Sequence, residues 1–225
     1  MSLTLQQGQR IAVGSKSADA LPAVPDQFCV GVNWGVLYEQ KRKWLRMRTV
    51  RRKLDLDLSA IVTFDGDDRF DHLYSPDYNV AWLKRLGLPK GKLVTNDGAL
   101  RHSGDDRKGQ LRAEDVLDNE IITVDVEQIH PRATQIFFFL NNVGPEDYAQ
   151  IPFACIRLFE GTALAPEEEY ARFTLNADKA FEGQRALILG KLYRKGAAWE
   201  FAAIGDTTDD AHFAATIVNV LQNYR

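Results

Sequence analysis

Short strand-like segments, each bounded by turn-forming residues, are the feature that most constrains the fold of this chain. In the first of them, 27–34, Phe28, Val30 and Val32 share one face because side chains alternate along a strand. Clusters of glycine, aspartate, asparagine and proline separate the segments. Strands are predicted over 27–34, 54–64, 120–126, 134–141, 153–159, 170–175, 186–193 and 199–204. Short strands at roughly regular spacing are typical of a β-sandwich or β-barrel.

Helical patterns are few. Over 209–224, apolar residues recur at i, i+4, i+7 and i+8, which is the spacing of one helix face. This pattern places Asp209 and Asp210 in the first turn, where the helix dipole favours acids. A short helix is also predicted over 78–86. With no repeat and no linker in the sequence, we expect a single domain: a mainly β fold, a β-sandwich with a C-terminal helix.

Composition excludes several classes of protein. The chain of 225 residues is 45% hydrophobic and 26% charged, so it is neither disordered nor collagen-like. No apolar run approaches the roughly 20 residues of a membrane helix, and the N-terminus lacks the basic and apolar regions of a secretory signal. Cys29 and Cys155 lie in apolar segments and are predicted to be buried free thiols. We therefore expect a cytoplasmic protein.

The net charge of −3 gives no overall reason to expect nucleic acid as a partner, but it conceals blocks of like charge. The segment 41–53 has eight basic residues and no acid. Basic residues beside the aromatic Trp44 are suited to nucleic acid or an anionic membrane surface. The alternative is a hairpin loop whose charges offset the acids that follow. The candidate contact residues are Arg42, Lys43, Arg46, Arg48, Arg51 and Arg52.

The acidic block that follows begins with a strictly alternating segment, 54–59. On a strand, Asp55 and Asp57 share one face with about 6–7 Å between them, while the leucines take the other face. Aspartate is a poor strand former, so two of them on one face need a reason. One reason is a hard cation, which prefers oxygen ligands. The other is a solvated edge strand protected against aggregation.

Two further acidic segments, 95–106 and 118–120, supply more oxygen ligands. In the first, aspartates adjoin glycines, which lets the backbone turn so that carboxylates and carbonyls converge. An all-oxygen set suits Ca²⁺ or Mg²⁺ and disfavours Zn²⁺. The spacing excludes an EF-hand, because counting from Asp55 puts Ala60 at the glycine position and Gly66 at the glutamate position.

Several segments in a fixed order resemble the TerD family of tellurite-resistance and stress-response proteins. They are 31–34, 54–59, 96–106, 118–120, 153–158, 190–194 and 199–205, and together they cover nearly the whole chain. The resemblance implies one TerD-like domain over 1–225, with insertions near 37–53 and 77–93. It also implies a cytoplasmic, calcium-binding β-sandwich that is not an enzyme. Its partners would be other stress or tellurite-resistance proteins, some of them membrane-associated.

The resemblance assigns candidate metal ligands residue by residue. The set is Asp55, Asp57, Asn79, Asp97, Gly98, Gly104, Asp105, Asp106, Asp118 and Glu120, with His102 inside the same motif. Two departures from the family pattern weaken a divalent site: Lys53 stands where an acid is usual, and the loop 109–117 carries Arg112 in place of a Gly- and Asp-rich segment.

The sequence thus predicts a calcium-binding, non-enzymatic binding or scaffold module in bacterial tellurite resistance or general stress response. The alternative is a module that binds nucleic acid or an anionic surface through 41–53. A third possibility is a metal-dependent hydrolase built on the paired carboxylates, although general acid catalysis prefers one acid in an apolar pocket.

Overall fold

The computed structural model stacks the predicted strands into two sheets that share one core. It describes residues 3–4, 6–14, 23–43, 46–52, 54–104, 118–162 and 165–225. Within these residues the strands are β1 (Leu3–Thr4), β2 (Arg10–Val13), β3 (Ala23–Val24), β4 (Gln27–Trp34), β5 (Leu37–Lys43), β6 (Arg46–Arg52), β7 (Leu56–Phe64), β8 (Asp67–Leu73), β9 (Leu100–His102), β10 (Glu120–Asp125), β11 (Ala133–Asn142), β12 (Phe153–Thr162), β13 (Ala165–Asn176), β14 (Ala186–Lys195) and β15 (Ala198–Thr208). The helices are α1 (Val80–Arg85) and α2 (Phe213–Asn223), with a 3-10 turn at Lys179–Phe181.

The strands form a sandwich, as the sequence predicts. The first sheet has the order β1-β13-β12-β4-β10-β9, and the second has the order β3-β2-β15-β14-β11-β7-β8. Pairing is antiparallel apart from the short β1–β13 and β2–β3 pairs. Among the described residues, strands β5 and β6 pair only with each other, and they form a separate antiparallel ribbon.

The core lies between the two sheets and follows from side-chain alternation. In β4, Phe28, Val30 and Val32 face it, as predicted, and in β7 so do Leu56 and Leu58. The fully buried Trp34 ties the sheets together, because its indole Nε1 donates a hydrogen bond to the backbone oxygen of Leu54, at 3.1 Å.

The outer face of the second sheet carries a second apolar cluster. Phe137 and Phe139 of β11 point outward and pack with Phe213 and Ile217 of α2. A strand covered on both faces is apolar along its length, which explains the continuous apolar run of β11. The C-terminal helix is therefore packed on the sandwich, as predicted.

Helix α2 begins later than the periodicity predicts. The pattern extends over 209–224, but the helix starts at Phe213, and the His212 side chain caps it by accepting a hydrogen bond from a backbone N–H. Asp209 and Asp210 therefore precede the helix and do not lie in its first turn, so that prediction was wrong. The physical reason is that an imidazole, rather than an acid, satisfies the first free N–H groups.

The observed strand boundaries agree closely with the predicted ones for apolar strands, whereas strands rich in charged residues were not predicted. The bounds of β4 match the prediction at both ends, whereas the ribbon strands β5 and β6 and the acidic β8 carry no apolar alternation that would identify them. Cys29 and Cys155 are buried free thiols, as predicted, and burial raises the pKa of Cys29 to about 11. Within the described residues, neither α-helix has the length and apolar composition required to cross a membrane.

Candidate functional site

Asp57 is a buried carboxylate on the outer face of the second sheet. It alternates with Leu56 and Leu58, so its side chain points away from the core of the sandwich, as the pattern predicts. The hydroxyl of Tyr78 donates a hydrogen bond to Asp57 Oδ2. The ring of Tyr78 in turn stacks on Phe213 of α2, with 4.2 Å between the ring centroids. Asp57 therefore lies beneath the cover that the helices make over this sheet.

Two oxygen-bearing side chains lie beside Asp57. Asn141 of β11 is directly opposite it in the ladder, and Ser59 follows two residues later on the same face. Asn141 donates from Nδ2 to the hydroxyl of Thr216 in α2, at 2.8 Å. Asn141 Oδ1 and Ser59 Oγ are buried and have no hydrogen-bond partner among the described residues. This corner therefore holds one carboxylate and two neutral oxygens with unused acceptor capacity.

Asp55 and Asn79 lie at the rim of this corner. Asp55 precedes β7 and is half-buried, and its backbone oxygen accepts from the backbone N–H of Val143, at 2.9 Å. Asn79, next to Tyr78 in the chain, is exposed and caps α1 by accepting the N–H of Trp82, at 3.0 Å. The side chain of Asn79 is thus already used as a helix cap.

Glu120 crosses the sandwich from the first sheet to the second. This carboxylate is 1% exposed, and its Oε2 accepts the backbone N–H of Leu58, at 2.7 Å. His102 Nε2 lies 3.0 Å from the backbone oxygen of Leu58 and 3.5 Å from Glu120 Oε2, and His102 Nδ1 accepts the N–H of Gly104. Since Nδ1 accepts, Nε2 carries the proton and donates. Glu120 and His102 therefore complete the hydrogen bonding of β7, which β8 pairs only from Ala60 onward.

Asp118 is held by an arginine from another strand. Arg157 of β12 donates to both carboxylate oxygens, at 2.9 and 3.1 Å from Nε, with a further 2.9 Å contact from Nη2. Burial raises the pKa of Asp118, and the contact with Arg157 opposes that shift. Gly31 lies against this pair, since a Cβ at this position would overlap the Asp118 carboxylate and lie 2.8 Å from a ring carbon of Phe159.

Asp97 stabilises a turn just before β9, away from Asp57 and Asp118. Its Oδ1 accepts from the hydroxyl of Thr95 and the N–H of Ala99, at 2.7 and 3.0 Å, and its Oδ2 accepts from the N–H of His130, at 2.9 Å. Burial acts to raise the pKa of Asp97, but these hydrogen bonds outweigh it and hold the pKa below its ordinary value. Gly98 completes the turn with a φ of 78°.

The predicted ligands are therefore divided among separate environments. Asp57, Asp55 and Asn79 belong to the outer corner of the second sheet, Glu120 and Gly104 to the bridge through His102, Asp118 to Arg157, and Asp97 with Gly98 to the turn near His130. Asp105 and Asp106 lie outside the described residues. Among the residues that are described, no group of three His, Cys, Asp or Glu side chains is placed to hold a metal ion.

Four residues that matter here escaped the sequence analysis as site residues: Ser59, Tyr78, Asn141 and Arg157. Asn141 and Tyr78 reach Asp57 through strand register and helix packing, which sequence does not display. Arg157 reaches Asp118 across 39 positions of sequence. A usable signal was present at Asn141, where a polar residue directly follows the apolar run 136–140.

The basic candidates lie on the β5–β6 ribbon. Arg42, Arg46, Arg48 and Arg51 are exposed, and Arg52 is half-buried at the base of the ribbon. The side chain of Lys43, and Trp44 and Lys53 as a whole, fall outside what the structure describes. Most of the predicted basic segment therefore lies on two paired antiparallel strands.

Comparison with known proteins agrees with the fold. A family model described as the TerD domain matches residues 1–218. The chain is 28% identical to stress response protein SCP2 of Bacillus subtilis, covering 93% of this chain and 94% of that protein. It is 26% identical to tellurium resistance protein TerD of Serratia marcescens, covering 91% and 90%.

The fold also resembles that of solved structures. A crystal structure of a homologue of telluride resistance protein (TerD) from Streptomyces coelicolor superposes with a TM-score of 0.51 at 16% identity. The match covers 84% of this chain and 94% of that one. With the family model spanning almost the whole chain, the conclusion is direct: this protein belongs to the TerD family.

Proposed function

We propose that this protein is a non-enzymatic, calcium-binding module that acts in tellurite resistance or general stress response. It would work in the cytoplasm as a binding or scaffold protein for other stress-response proteins. Membership of the TerD family and the names of its relatives support the general role. Calcium as the ligand is supported by the chemistry of the side chains around Asp57.

The observation that carries the calcium proposal is the pair of unused oxygens beside Asp57. Buried polar atoms normally have hydrogen-bond partners, and each that does not calls for an explanation. Ser59 Oγ and Asn141 Oδ1 both lie on the face of Asp57. A carboxylate, an amide oxygen and a hydroxyl are ligands that Ca²⁺ accepts, and Asp55 at the rim would add a second carboxylate. The residues present therefore fit an oxygen-liganded cation.

The other predicted ligands fit a cation less well. The carboxylates of Glu120, Asp118 and Asp97 already accept hydrogen bonds from protein groups. A cation there would have to replace those contacts, and at Asp118 it would compete with the Arg157 guanidinium. We therefore place the calcium ligands at Asp57, Ser59 and Asn141, with Asp55 as the outer carboxylate.

The test is thermal unfolding of the full, chelator-treated chain with and without millimolar Ca²⁺. A ligand at a hundredfold excess over its dissociation constant stabilises by about 2.7 kcal/mol, which corresponds to roughly 5–10 °C for a chain of this size. We expect a rise of that order in the wild type. Asp57→Asn keeps the shape and an acceptor for Tyr78 but removes the charge, so it should abolish most of the rise.

Ser59→Ala separates a cation ligand from an unused hydroxyl. In chelator this variant should be as stable as the wild type, since it removes a buried polar atom that has no partner. With Ca²⁺ it should show a smaller rise than the wild type. The matched control is Asp65→Asn/Asp68→Asn, which removes two exposed acids outside the predicted site and should leave the rise intact. A wild type without any shift, or an equal shift in all variants, would overturn the proposal.

The hydrolase alternative predicts a different result. It requires metal-dependent turnover of a phosphate or acyl ester that is lost in Asp57→Asn while the melting temperature in chelator is unchanged. We expect no such turnover in the wild type.

A further inference from the structure

The base of the β5–β6 ribbon is fixed to the sandwich. Leu37 packs against the main core, and Arg52 is its partner in the ribbon ladder. The Nε of Arg52 forms an ion pair with Glu146 Oε1, at 2.6 Å. The Glu146 side chain is 2% exposed, so this ion pair reaches into the body of the protein. The ribbon is thus anchored at its base, and the described side chains beyond that base are mostly exposed.

Both faces of the ribbon carry positive charge. Residues directly opposite in an antiparallel ladder share a face, and successive pairs alternate between the faces. Lys41 and Arg48 are opposite each other on one face, which Arg46 also occupies. Arg42 and Arg51 lie on the other face, with the exposed side chains of Tyr38 and Met47 opposite them.

The ribbon carries a net charge opposite in sign to that of the rest of the chain. Its span, 37–52, contains seven basic residues and one acid, a formal charge of +6, whereas the whole chain carries −3. The remainder of the chain is therefore at −9. A polyanion would be repelled by the body of the protein and attracted only to the ribbon, so binding there requires an element that stands away from that body.

Internal ion pairs use only part of this charge. Glu39, the one acid of the ribbon, contacts Arg52 at 2.6 Å and Lys41 at 3.4 Å. Within the described part of the chain, Arg42, Arg46 and Arg48 have no carboxylate within ion-pair distance. Offsetting of the neighbouring acids therefore does not account for these three arginines.

From this geometry we propose that the ribbon binds double-stranded DNA by lying in the major groove. The groove is about 12 Å wide and admits a two-stranded β-ribbon, whose strands are about 4.8 Å apart. Phosphates line both walls of the groove, so long arginine side chains that extend sideways from either face of the ribbon can reach the backbones on its two sides. Arginine is well matched to phosphate because its planar guanidinium donates two hydrogen bonds at once.

A flat anionic surface fits the ribbon less well. A membrane is contacted from one side, so basic residues on the opposite face would stay in water and contribute little, given screening within about 10 Å. Duplex RNA fits less well too, because its major groove is deep and narrow. Exposed arginines match the charge of the phosphate backbone rather than particular base edges, so the binding is expected to be largely independent of DNA sequence.

The test measures binding of the full chain to a fluorescent DNA duplex of about 20 base pairs by anisotropy, between about 50 and 200 mM salt. Chelator is present, so the result is independent of calcium. Each phosphate contact contributes about −0.9 to the slope of log K against log salt. Arg42→Gln/Arg46→Gln/Arg48→Gln should weaken binding at least about tenfold and make the slope shallower by about 3.

The matched control removes the same charge elsewhere. Lys84→Gln/Arg85→Gln/Lys90→Gln neutralises three exposed residues outside the ribbon and should change affinity by less than about twofold. The single variant Arg48→Glu, which reverses one charge, should also weaken binding and serves if the triple variant folds poorly. The melting temperature of each variant checks its fold.

Several outcomes would overturn the proposal. One is the absence of DNA binding by the wild type at the lowest salt concentration. A second is an equal loss of DNA affinity in the ribbon triple variant and in the control triple variant. Another is ribbon-dependent binding to vesicles containing anionic lipid, or ribbon-dependent self-association in sedimentation, with no affinity for the duplex. Either result would assign the ribbon to a membrane or to a second copy of the chain.

Discussion

Acidic and basic residues are placed in opposite ways in this molecule. The carboxylates of Asp118 and Glu120 are buried and accept hydrogen bonds from Arg157 and from a backbone N–H. In contrast, the arginines at 42, 46 and 48 are exposed on a ribbon outside the sandwich. The buried acids are therefore part of the fold, and removing their partners should destabilise it. The exposed arginines contribute little to the fold and are available to a partner.

Asp57 is intermediate between these two extremes. It is buried like the structural acids, but the oxygens beside it, Ser59 Oγ and Asn141 Oδ1, are not used by the protein. Burying a carboxylate is costly, so a cation that used these oxygens and the Asp57 carboxylate together would stabilise the folded protein. Under the calcium proposal, the contrast with Asp118 is between a buried carboxylate that an arginine neutralises and one that a cation would neutralise.

The largest expected effect is a loss of stability when the arginine that pairs with a buried acid is replaced by leucine. The same replacement of an exposed ribbon arginine serves as the comparison. Arg157→Leu should lower the free energy of unfolding by about 3–5 kcal/mol, because it leaves Asp118 buried without its counter-charge. Arg48→Leu on the ribbon should change it by less than about 0.5 kcal/mol. Urea unfolding of both variants measures the difference. Equal effects would contradict the contrast between the two regions.

A second, smaller effect is expected at Gly31, which lies against the same buried pair. Gly31→Ala places a methyl group against Asp118 and against the ring of Phe159, at 2.8 Å. Overpacking of this kind typically costs about 1–3 kcal/mol. We expect a lower urea midpoint with an unchanged slope. A variant as stable as the wild type would mean that Asp118 can shift at little cost.

The smallest effect is a pH dependence at Asp97, whose pKa is lowered in the folded state. A lowered pKa means that the charged form stabilises the fold above the unfolded pKa of about 3.9 and that this contribution is lost as pH falls through the folded value. Asp97 is partly exposed, so the contribution should be below about 1 kcal/mol. Asp97→Asn should therefore be less stable than the wild type at neutral pH and converge with it in acid. A constant difference at all pH values would exclude this charge effect.

The fold could be predicted from sequence wherever burial imposes a period. Strand β4 and the inward leucines of β7 follow from alternation alone. The ribbon strands could not be found in this way, because their exposed, charged residues are held by ladder pairing and carry no apolar face. The start of α2 was misplaced because its cap is a histidine side chain.

Of the residues in the proposed site, the sequence indicated only the acids. Asp57 stood out because aspartate is rare on a strand, and its neighbours Tyr78 and Asn141 reach it only through helix packing and strand register. The sequence does not show which acids the protein itself neutralises. The resemblance to the TerD family put Asp97, Asp118 and Glu120 in the predicted ligand set together with Asp57, and in the structure these three carboxylates accept hydrogen bonds from protein groups.

Calorimetric titration of chelator-treated protein with Ca²⁺ tests the central claim most directly. We predict saturable binding by the wild type, and binding that is lost or much weakened in Asp57→Asn and weakened in Ser59→Ala. The Asp65→Asn/Asp68→Asn control should bind as the wild type does. Binding that is unchanged in both site variants, or no binding by the wild type, would contradict the claim that the corner at Asp57 is the calcium site.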